Sequence, residues 1–224
     1  MLQAEVTMPL SHTVIKAFET CPQRFYRERV LKQFPYVQSE SAIRGEQIHK
    51  AFENYIKDNT PLDASLSPYS GWVETFAKQP GEKYTELAMA IDWQDKKVGF
   101  LRGKNIWLRG KVDLLIDQGE VGYVIDYKTG KSKYADMSQV ELMAMLSFIY
   151  FPHLQTITGA LVFIDENKII RDTYTRDKMA EYRERWMSRS IPIVQALTSR
   201  KFPMKQSGLC AFCPVLDCPF YAGE

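Results

Sequence analysis

The chain has 224 residues, of which 45% are hydrophobic and 25% are charged. These values are ordinary for a soluble globular protein, and the length is sufficient for one large domain with a sizeable core. The formal net charge is +2. This small excess excludes recognition of a nucleic acid by overall charge alone, so such a partner has to be held by local basic patches.

No segment of the sequence predicts insertion into a membrane. Residues 1–10 lack the basic start and the long apolar core of a signal peptide. The longest apolar run, residues 142–152, is interrupted by Ser147 and is too short to span a bilayer. We therefore expect a cytoplasmic protein, in which the four cysteines indicate metal or redox chemistry and not disulfides.

The first predicted element is a helix that begins after Ser11, a suitable N-cap residue. Val14, Ile15 and Phe18 then follow at helical spacing. Residues 23–29 come next and interleave basic with aromatic side chains. This segment is either a solvated amphipathic helix or a surface that contacts phosphates, and the sequence leaves both interpretations open.

A second helix is predicted over residues 41–57, which carry an apolar stripe. Gly45 lies inside this helix and lowers its stability, which indicates a close approach by another backbone or by a substrate. His49 lies beside Ile48 and Phe52. A lone histidine in such a place is more often a hydrogen-bonded core residue than a metal ligand.

Strands dominate the middle of the chain. A loop over 60–68 and a short helix over 71–77 precede strands predicted over residues 84–91, 98–101 and 106–116. Glu86 stands at the start of the first strand and is a further candidate site carboxylate.

Residues 110–128 form the pattern around which the candidate site is built. Two aliphatic runs flank a short polar link that contains Gly119, a pattern typical of a β-hairpin. If the turn is centred on Gly119 and the residue after it, Asp113 and Asp126 are equally far from the bend. Their side chains then face each other across the ladder.

A third charged residue belongs to the same patch. Lys128 follows Asp126 by two residues and lies on the same side of the strand, whereas Tyr127 points away. Two carboxylates and one ammonium group that converge in this way predict a site for a divalent cation and a water molecule. The alternative is a surface ion-pair cluster, which is the more common fate of any single such residue.

The second half of the chain continues the alternation of helices and strands. A helix is predicted over 137–151, strands over 159–164 and 169–175, and a long helix over 176–197 that Pro192 breaks. Gln139 lies near the start of the first of these helices.

The four cysteines form one pattern. Cys210, Cys213 and Cys218 are separated by two and four residues near the C-terminus, and Cys21 supplies a fourth sulfur from the other end. A C-x2-C pair alone fits half a zinc knuckle or a redox pair. Four thiolates suit either zinc or a 4Fe–4S cluster.

These motifs resemble a known family. Gly110–Asp113 reads Gly-x-x-Asp and Asp126–Lys131 reads Asp-Tyr-Lys-Thr-Gly-Lys, which is similar to the signature of the PD-(D/E)XK nuclease superfamily in its RecB-like form. Gly45 and His49 resemble the histidine motif of that family, and Gln139 resembles its glutamine. The one N-terminal and three C-terminal cysteines are similar to those of iron–sulfur exonucleases, including CRISPR-associated and AddB-type nuclease domains.

The resemblance implies an α/β fold and a set of site residues. It implies a single nuclease domain with a restriction-endonuclease-like core at residues 41–198, a mixed central sheet flanked by helices, and an iron–sulfur subdomain built from residues 1–35 and 199–224. The implied ligands of Mg²⁺ or Mn²⁺ are His49, Asp113, Asp126 and the backbone carbonyl of Tyr127. The implied catalytic residues are Asp113, Asp126, Lys128 and Gln139. The implied ligands of a 4Fe–4S cluster, with zinc as the alternative, are Cys21, Cys210, Cys213 and Cys218.

The function implied by the resemblance is that of a metal-dependent DNA exonuclease that acts on single strands or DNA ends. Recombination, repair, phage DNA processing and CRISPR adaptation all remain open, as do protein partners in such a complex and the oligomeric state. Two alternatives are a non-catalytic DNA-binding module that keeps the cluster and a zinc-stapled adaptor. The presence of Asp113, Asp126 and Lys128 argues against the first of these.

Overall fold

The computed structural model describes residues 8–223 except 36 and 104, and a five-stranded mixed sheet forms its centre. The strands are β1 (Glu82–Asp92), β2 (Ile106–Gln118), β3 (Val121–Lys128), β4 (Thr156–Phe163) and β5 (Lys168–Thr175). Their order in the sheet follows their order in the chain. Strands β3 and β4 are parallel, and the other neighbouring pairs are antiparallel. The predicted α/β fold with a mixed sheet is confirmed.

Six α-helices in the described part of the chain surround this sheet. They are α1 (His12–Thr20), α2 (Pro22–Phe25), α3 (Glu40–Asp58), α4 (Ser70–Lys78), α5 (Ser138–Tyr150) and α6 (Met179–Ser199). The N-cap predicted for the first helix is present, because the Ser11 hydroxyl accepts a hydrogen bond from the Val14 N–H at 3.3 Å. A π-helical turn at Tyr26–Val30 extends α2.

Two hydrophobic cores lie on opposite sides of the sheet. Leu115 and Val124 belong to the core that α1, α5 and α6 cover. Their sequence neighbours Ile116 and Ile125 belong to the core that α3 and α4 cover. This alternation between the two cores is the two-residue period of a strand buried on both sides.

Helix α5 connects the parallel strands β3 and β4 and is buried on almost every side. Val140 and residues 142–148 of this helix are all buried, including Ser147, and only Glu141 among them is partly exposed. The apolar run in the sequence is therefore a core helix. Within the described parts of the chain, we find no helix with both the length and the apolarity needed to cross a membrane.

Two predicted elements differ from the structure. Residues 98–101 do not form a strand. After a turn in which the Asp92 carboxylate accepts the N–H groups of Gln94 and Lys96 at 2.9 Å, the chain touches β1 again at Lys97 and Val98, and it turns away at Gly99–Gly103. Pro192 does not break the last helix, since α6 runs through it to Ser199. Trp186 and Ile193 are fully buried on either side of the proline, and their packing offsets the missing backbone hydrogen bond.

Candidate active site

The β2–β3 hairpin places the two aspartates as the sequence pattern predicts, with one difference. Gln118 pairs with Val121, so Gly119 forms the turn, and the ladder extends back to Leu114 and Ile125. Asp113 and Asp126 are the next positions in register, but they do not form a ladder pair. The Asp113 carboxylate instead accepts a hydrogen bond from the backbone N–H of Tyr127 at 2.8 Å, so a side chain closes this end of the hairpin.

A second element, α3, brings His49 to the same place. Its Nδ1 lies 3.3 Å from Oδ1 of Asp113, and its Nε2 lies 3.1 Å from the backbone carbonyl oxygen of Tyr127. Burial lowers the pKa of His49, but the hydrogen bond and the negative charge of Asp113 outweigh burial and raise it overall. The structure therefore brings together three of the four predicted metal ligands.

Glu86 joins this group from β1. One ligand atom each from His49, Glu86 and Asp113 lie within 4.8 Å of one another, and among the described residues no other set of three His, Cys, Asp or Glu residues does so. Glu86 is inside β1 and not at its start, and its φ of +52° is unusual for a residue with a side chain. It also forms an ion pair with Lys111. A strained residue in a strand is typical of a functional site.

Asp126 occupies the adjacent, more buried position. It is 5% exposed, and its Oδ1 accepts a hydrogen bond from the Gln139 amide at 2.5 Å. Its Oδ2 contacts the Lys128 ammonium at 2.6 Å but lacks a partner with hydrogen-bonding geometry. Burial, followed by the charge of Asp113, raises the pKa of Asp126 to about 6, and the Lys128 charge opposes the shift.

Gln139 links the charged groups of the site. Its amide nitrogen donates to Asp126, and its carbonyl oxygen accepts from Lys128 at 2.9 Å. Lys128 thus lies on the same side of β3 as Asp126, as predicted. Tyr127 points to the opposite side and packs against Phe52 in the second core, with ring centroids 4.9 Å apart.

The donor set of this site fits a hard divalent cation. Carboxylate oxygens, a backbone carbonyl oxygen and one imidazole nitrogen are ligands that Mg²⁺ and Mn²⁺ accept. The buried Oδ2 atom of Asp126 contacts Lys128 without hydrogen-bonding geometry, so a metal ion nearby would stabilise this anion further. The sequence pattern predicted Asp113 and Asp126 for this site and named Glu86 as a further candidate, but it did not predict that Glu86 lies close to His49, at a strand position with a left-handed backbone.

The four cysteines meet in a cavity that shares no lining residue with the groove beside the candidate site. Cys21, Cys210, Cys213 and Cys218 all line one cavity and are all half-buried. No three of their sulfur atoms lie within 4.8 Å of one another in the described structure. The residues on which the predicted subdomain depends are therefore adjacent in space.

Polar contacts hold the C-terminal segment against α1 and α2. Arg27 donates two hydrogen bonds to Asp217 at 2.9 and 3.1 Å, and Lys205 donates to the backbone carbonyl of Glu19 at 2.6 Å. Arg24 pairs with Glu28 within its own helix. Two arginines of the basic segment 23–29 thus have acidic partners in the protein, which favours the structural interpretation over phosphate contact for these two side chains.

Comparison with known proteins identifies relatives of this arrangement. A model of the PD-(D/E)XK nuclease superfamily matches residues 9–218. A search of curated proteins found no match. Solved structures with the same fold include SSO0001, with 14% identity, a TM-score of 0.50 and coverage of 99% of this chain and 90% of that chain. A protein from Eubacterium rectale named "Putative exonuclease" has 16% identity, a TM-score of 0.51 and coverage of 92% of this chain and 86% of that chain.

Proposed function

Because this chain belongs to the PD-(D/E)XK nuclease superfamily, whose members are metal-dependent nucleases, we propose that it hydrolyses DNA from strand ends. One observation carries the proposal. The His49–Glu86–Asp113 group lies at the end of the same hairpin that places the buried Asp126 against Lys128. A candidate cation site and a candidate catalytic lysine are thereby adjacent.

We assign the candidate metal ligands to four side chains and one backbone group. His49, Glu86, Asp113 and the Tyr127 carbonyl form one side of the site, and Asp126 forms the other. When bound, Mg²⁺ or Mn²⁺ lowers the pKa of a bound water and offsets the charge of the scissile phosphate. Glu86 also pairs with Lys111, so a bound cation and this ammonium group would share the carboxylate.

Lys128 and Gln139 have different roles in this proposal. The Lys128 side chain is 31% exposed, so it can reach a substrate while its ammonium group contacts Asp126. It orients the attacking water or stabilises the negative charge that develops on the phosphate. Gln139 binds both neighbours at once and acts as a positioning residue, because it fixes the distance between the lysine and the aspartate.

We propose exonuclease activity partly because a structural neighbour is named an exonuclease candidate. The test compares linear single-stranded DNA labelled at either end with a circular single strand of the same sequence, in Mn²⁺ and in EDTA. Linear DNA shortens from one end in Mn²⁺ only, and the circle stays intact. Cutting of the circle at the rate of the linear strand would show an endonuclease, and a matched RNA oligonucleotide tests the preference for DNA.

The cysteine cavity is proposed to hold a 4Fe–4S cluster that fastens residues 1–35 to residues 199–224. Four thiolates suit either zinc or a 4Fe–4S cluster, and we favour the cluster because one N-terminal and three C-terminal cysteines resemble the pattern of iron–sulfur nucleases. In a reducing cytoplasm the thiols stay available as ligands.

Metal analysis distinguishes this cluster from the zinc alternative. Protein purified without oxygen is expected to contain about four iron and four acid-labile sulfide per chain, with broad visible absorbance that dithionite bleaches. One zinc per chain without visible absorbance would contradict the cluster. If that zinc protein also lacked cleavage in Mn²⁺, it would be the zinc-stapled adaptor.

A further inference from the structure

An open groove leads away from the candidate active site and has no assigned ligand. It is bordered by α1, the loop after β3, and α5, and it has a volume of about 700 Å³. We name it the Tyr134 groove and define it by Lys16, Lys128, Lys131, Tyr134 and Gln139, all of which line it. Because Lys128 and Gln139 belong to the candidate site, the groove is continuous with that site.

The charge of the groove is positive. Its lining includes three lysines and one acid, Asp136. The Asp136 carboxylate is already satisfied, since it accepts from the Ser138 hydroxyl at 2.7 Å and contacts the Lys16 ammonium at 3.0 Å. Lys131 is exposed and has no ion pair with any residue that the structure describes. An unpaired ammonium group in a groove is a suitable contact for a phosphate.

Tyr134 adds a flat apolar surface to this positive groove. Its side chain is 74% exposed, and the Lys133 ammonium lies over the ring, 4.8 Å from the centroid. A ring has two flat sides, so contact with one cation leaves the other side free for a base. Stacking of a base on such a ring is largely independent of base identity.

Hydrogen bonds anchor the backbone segment that carries Tyr134. Tyr134 ends a short 3-10 helix that begins at Ser132. The Ser132 N–H donates to Glu166 at 3.1 Å, and the Ser132 hydroxyl accepts from Lys168 at 3.0 Å, so the segment is tied to the turn between β4 and β5. Ser132 itself is buried. The exposed ring is therefore presented by an anchored backbone.

From this geometry we propose that the Tyr134 groove binds an unpaired nucleotide next to the scissile phosphate. Its base stacks on Tyr134, and its phosphate contacts Lys131. A base inside a duplex is already stacked on its neighbours, so this subsite selects single-stranded DNA. The inference rests on the proposed function, since it makes the groove the path of the substrate strand.

A coupling experiment tests the stacking step without cleavage. Binding of a fluorescent oligothymidylate is measured by anisotropy in EDTA. The same measurement is made on a series of oligonucleotides, each of which has one abasic nucleotide at a different position. In the wild type, one abasic position weakens binding by about 5- to 100-fold. Tyr134→Ala should weaken binding of the intact strand by a similar factor and become insensitive to the abasic site, while Tyr134→Phe keeps both properties.

The decisive result is whether the two losses of binding affinity depend on each other. If Tyr134 has only a structural role, the abasic site and Tyr134→Ala weaken binding independently. The proposal would be overturned if the fold-losses of affinity from the abasic site and from Tyr134→Ala multiply. It would also be overturned if neither change weakens binding. Tyr134→Leu separates stacking from general apolar contact and is expected to behave like the alanine variant.

The phosphate contact has its own test. Lys131→Ala should reduce the slope of log affinity against log salt by about 0.7, the value for one phosphate of a single strand. Lys178→Ala is the matched control, because Lys178 is also an exposed lysine next to or within a short 3-10 helix but does not line the groove. An unchanged slope in Lys131→Ala would remove this residue from the subsite.

These measurements separate the groove from the nuclease proposal. Coupled penalties in EDTA together with no cleavage in Mn²⁺ would support the groove and contradict the nuclease. Cleavage in Mn²⁺ with uncoupled penalties would support the nuclease and contradict the groove.

Discussion

Asp113 accepts a hydrogen bond from the backbone N–H of Tyr127 at 2.8 Å, so one carboxylate both closes the β2–β3 ladder and faces His49. The bond also fixes the peptide whose carbonyl oxygen lies 3.1 Å from His49. Asparagine at position 113 keeps an oxygen that accepts this bond, whereas alanine removes it and leaves a buried donor unpaired. The two substitutions therefore separate the structural role of Asp113 from its charge.

The candidate metal site predicts stabilisation by Mn²⁺. Binding to the folded state alone stabilises a protein by about 2.7 kcal/mol at a hundredfold excess over Kd, which raises the Tm of a chain of this size by roughly 5–10 °C. Glu86→Gln is expected to lose most of this shift, because it removes one carboxylate ligand. The measurement is a thermal unfolding curve with and without Mn²⁺.

The control for Glu86 is Glu184→Gln, which neutralises an exposed acid of α6. This control should show the full Mn²⁺ shift of the wild type. An equal shift in Glu86→Gln would exclude Glu86 from the metal site.

Lys128 is expected to act mainly in the transition state. Lys128→Ala should lower kcat by about 10²–10³, with little change in KM, since an interaction made only in the transition state affects the chemical step. Initial rates over a range of single-stranded DNA concentrations measure both constants, and Lys178→Ala is the control. A rise in KM alone would show that Lys128 is a phosphate-binding residue.

Parts of this site follow from short-range sequence rules. Gly119 between two aliphatic runs determines the hairpin, and the two-residue period of a strand places Lys128 beside Asp126. Glu86 is different, because its left-handed backbone interrupts the regular period of β1. The residues that surround His49 are determined by how α3 packs on the sheet. A local sequence pattern does not specify this tertiary packing.

Local sequence rules also fail where tertiary packing or a turn determines where a helix or strand ends. Proline at position 192 predicts a break, yet the burial of Trp186 and Ile193 keeps α6 continuous. The apolar composition of residues 98–101 predicts a strand, but the chain turns at Gly99–Gly103 and leaves β1 before one can form. Both errors concern elements remote from the hairpin, so the candidate site is unaffected.

The cysteines are expected to fasten the two ends of the chain. By analogy with disulfides that close very long loops, a cluster joining Cys21 to the C-terminal cysteines contributes roughly 4–5 kcal/mol. Cys213→Ala should therefore lower the Tm and expose both termini to protease. Phe212 and Leu216 are largely exposed, while Val215 is buried, so apolar packing of this segment is limited.

Phe212→Ala is the matched control for the cysteine experiment, because Phe212 is adjacent to Cys213 and is 79% exposed. It should leave both the Tm and the protease pattern unchanged. If the Cys213→Ala protein has the Tm and the protease pattern of the wild type, the cysteines do not fasten the chain ends.

The most direct test of the nuclease assignment is the rate of Mn²⁺-dependent cleavage of end-labelled single-stranded DNA by Asp113→Asn. The substitution removes the charge of Asp113 but retains an acceptor for the Tyr127 N–H. Asp177→Asn, at an exposed position outside the site, serves as the control. We predict a folded Asp113→Asn protein that binds DNA and has lost cleavage by at least about 10³-fold, alongside a fully active control. Cleavage by Asp113→Asn at the wild-type rate would contradict the assignment of this site.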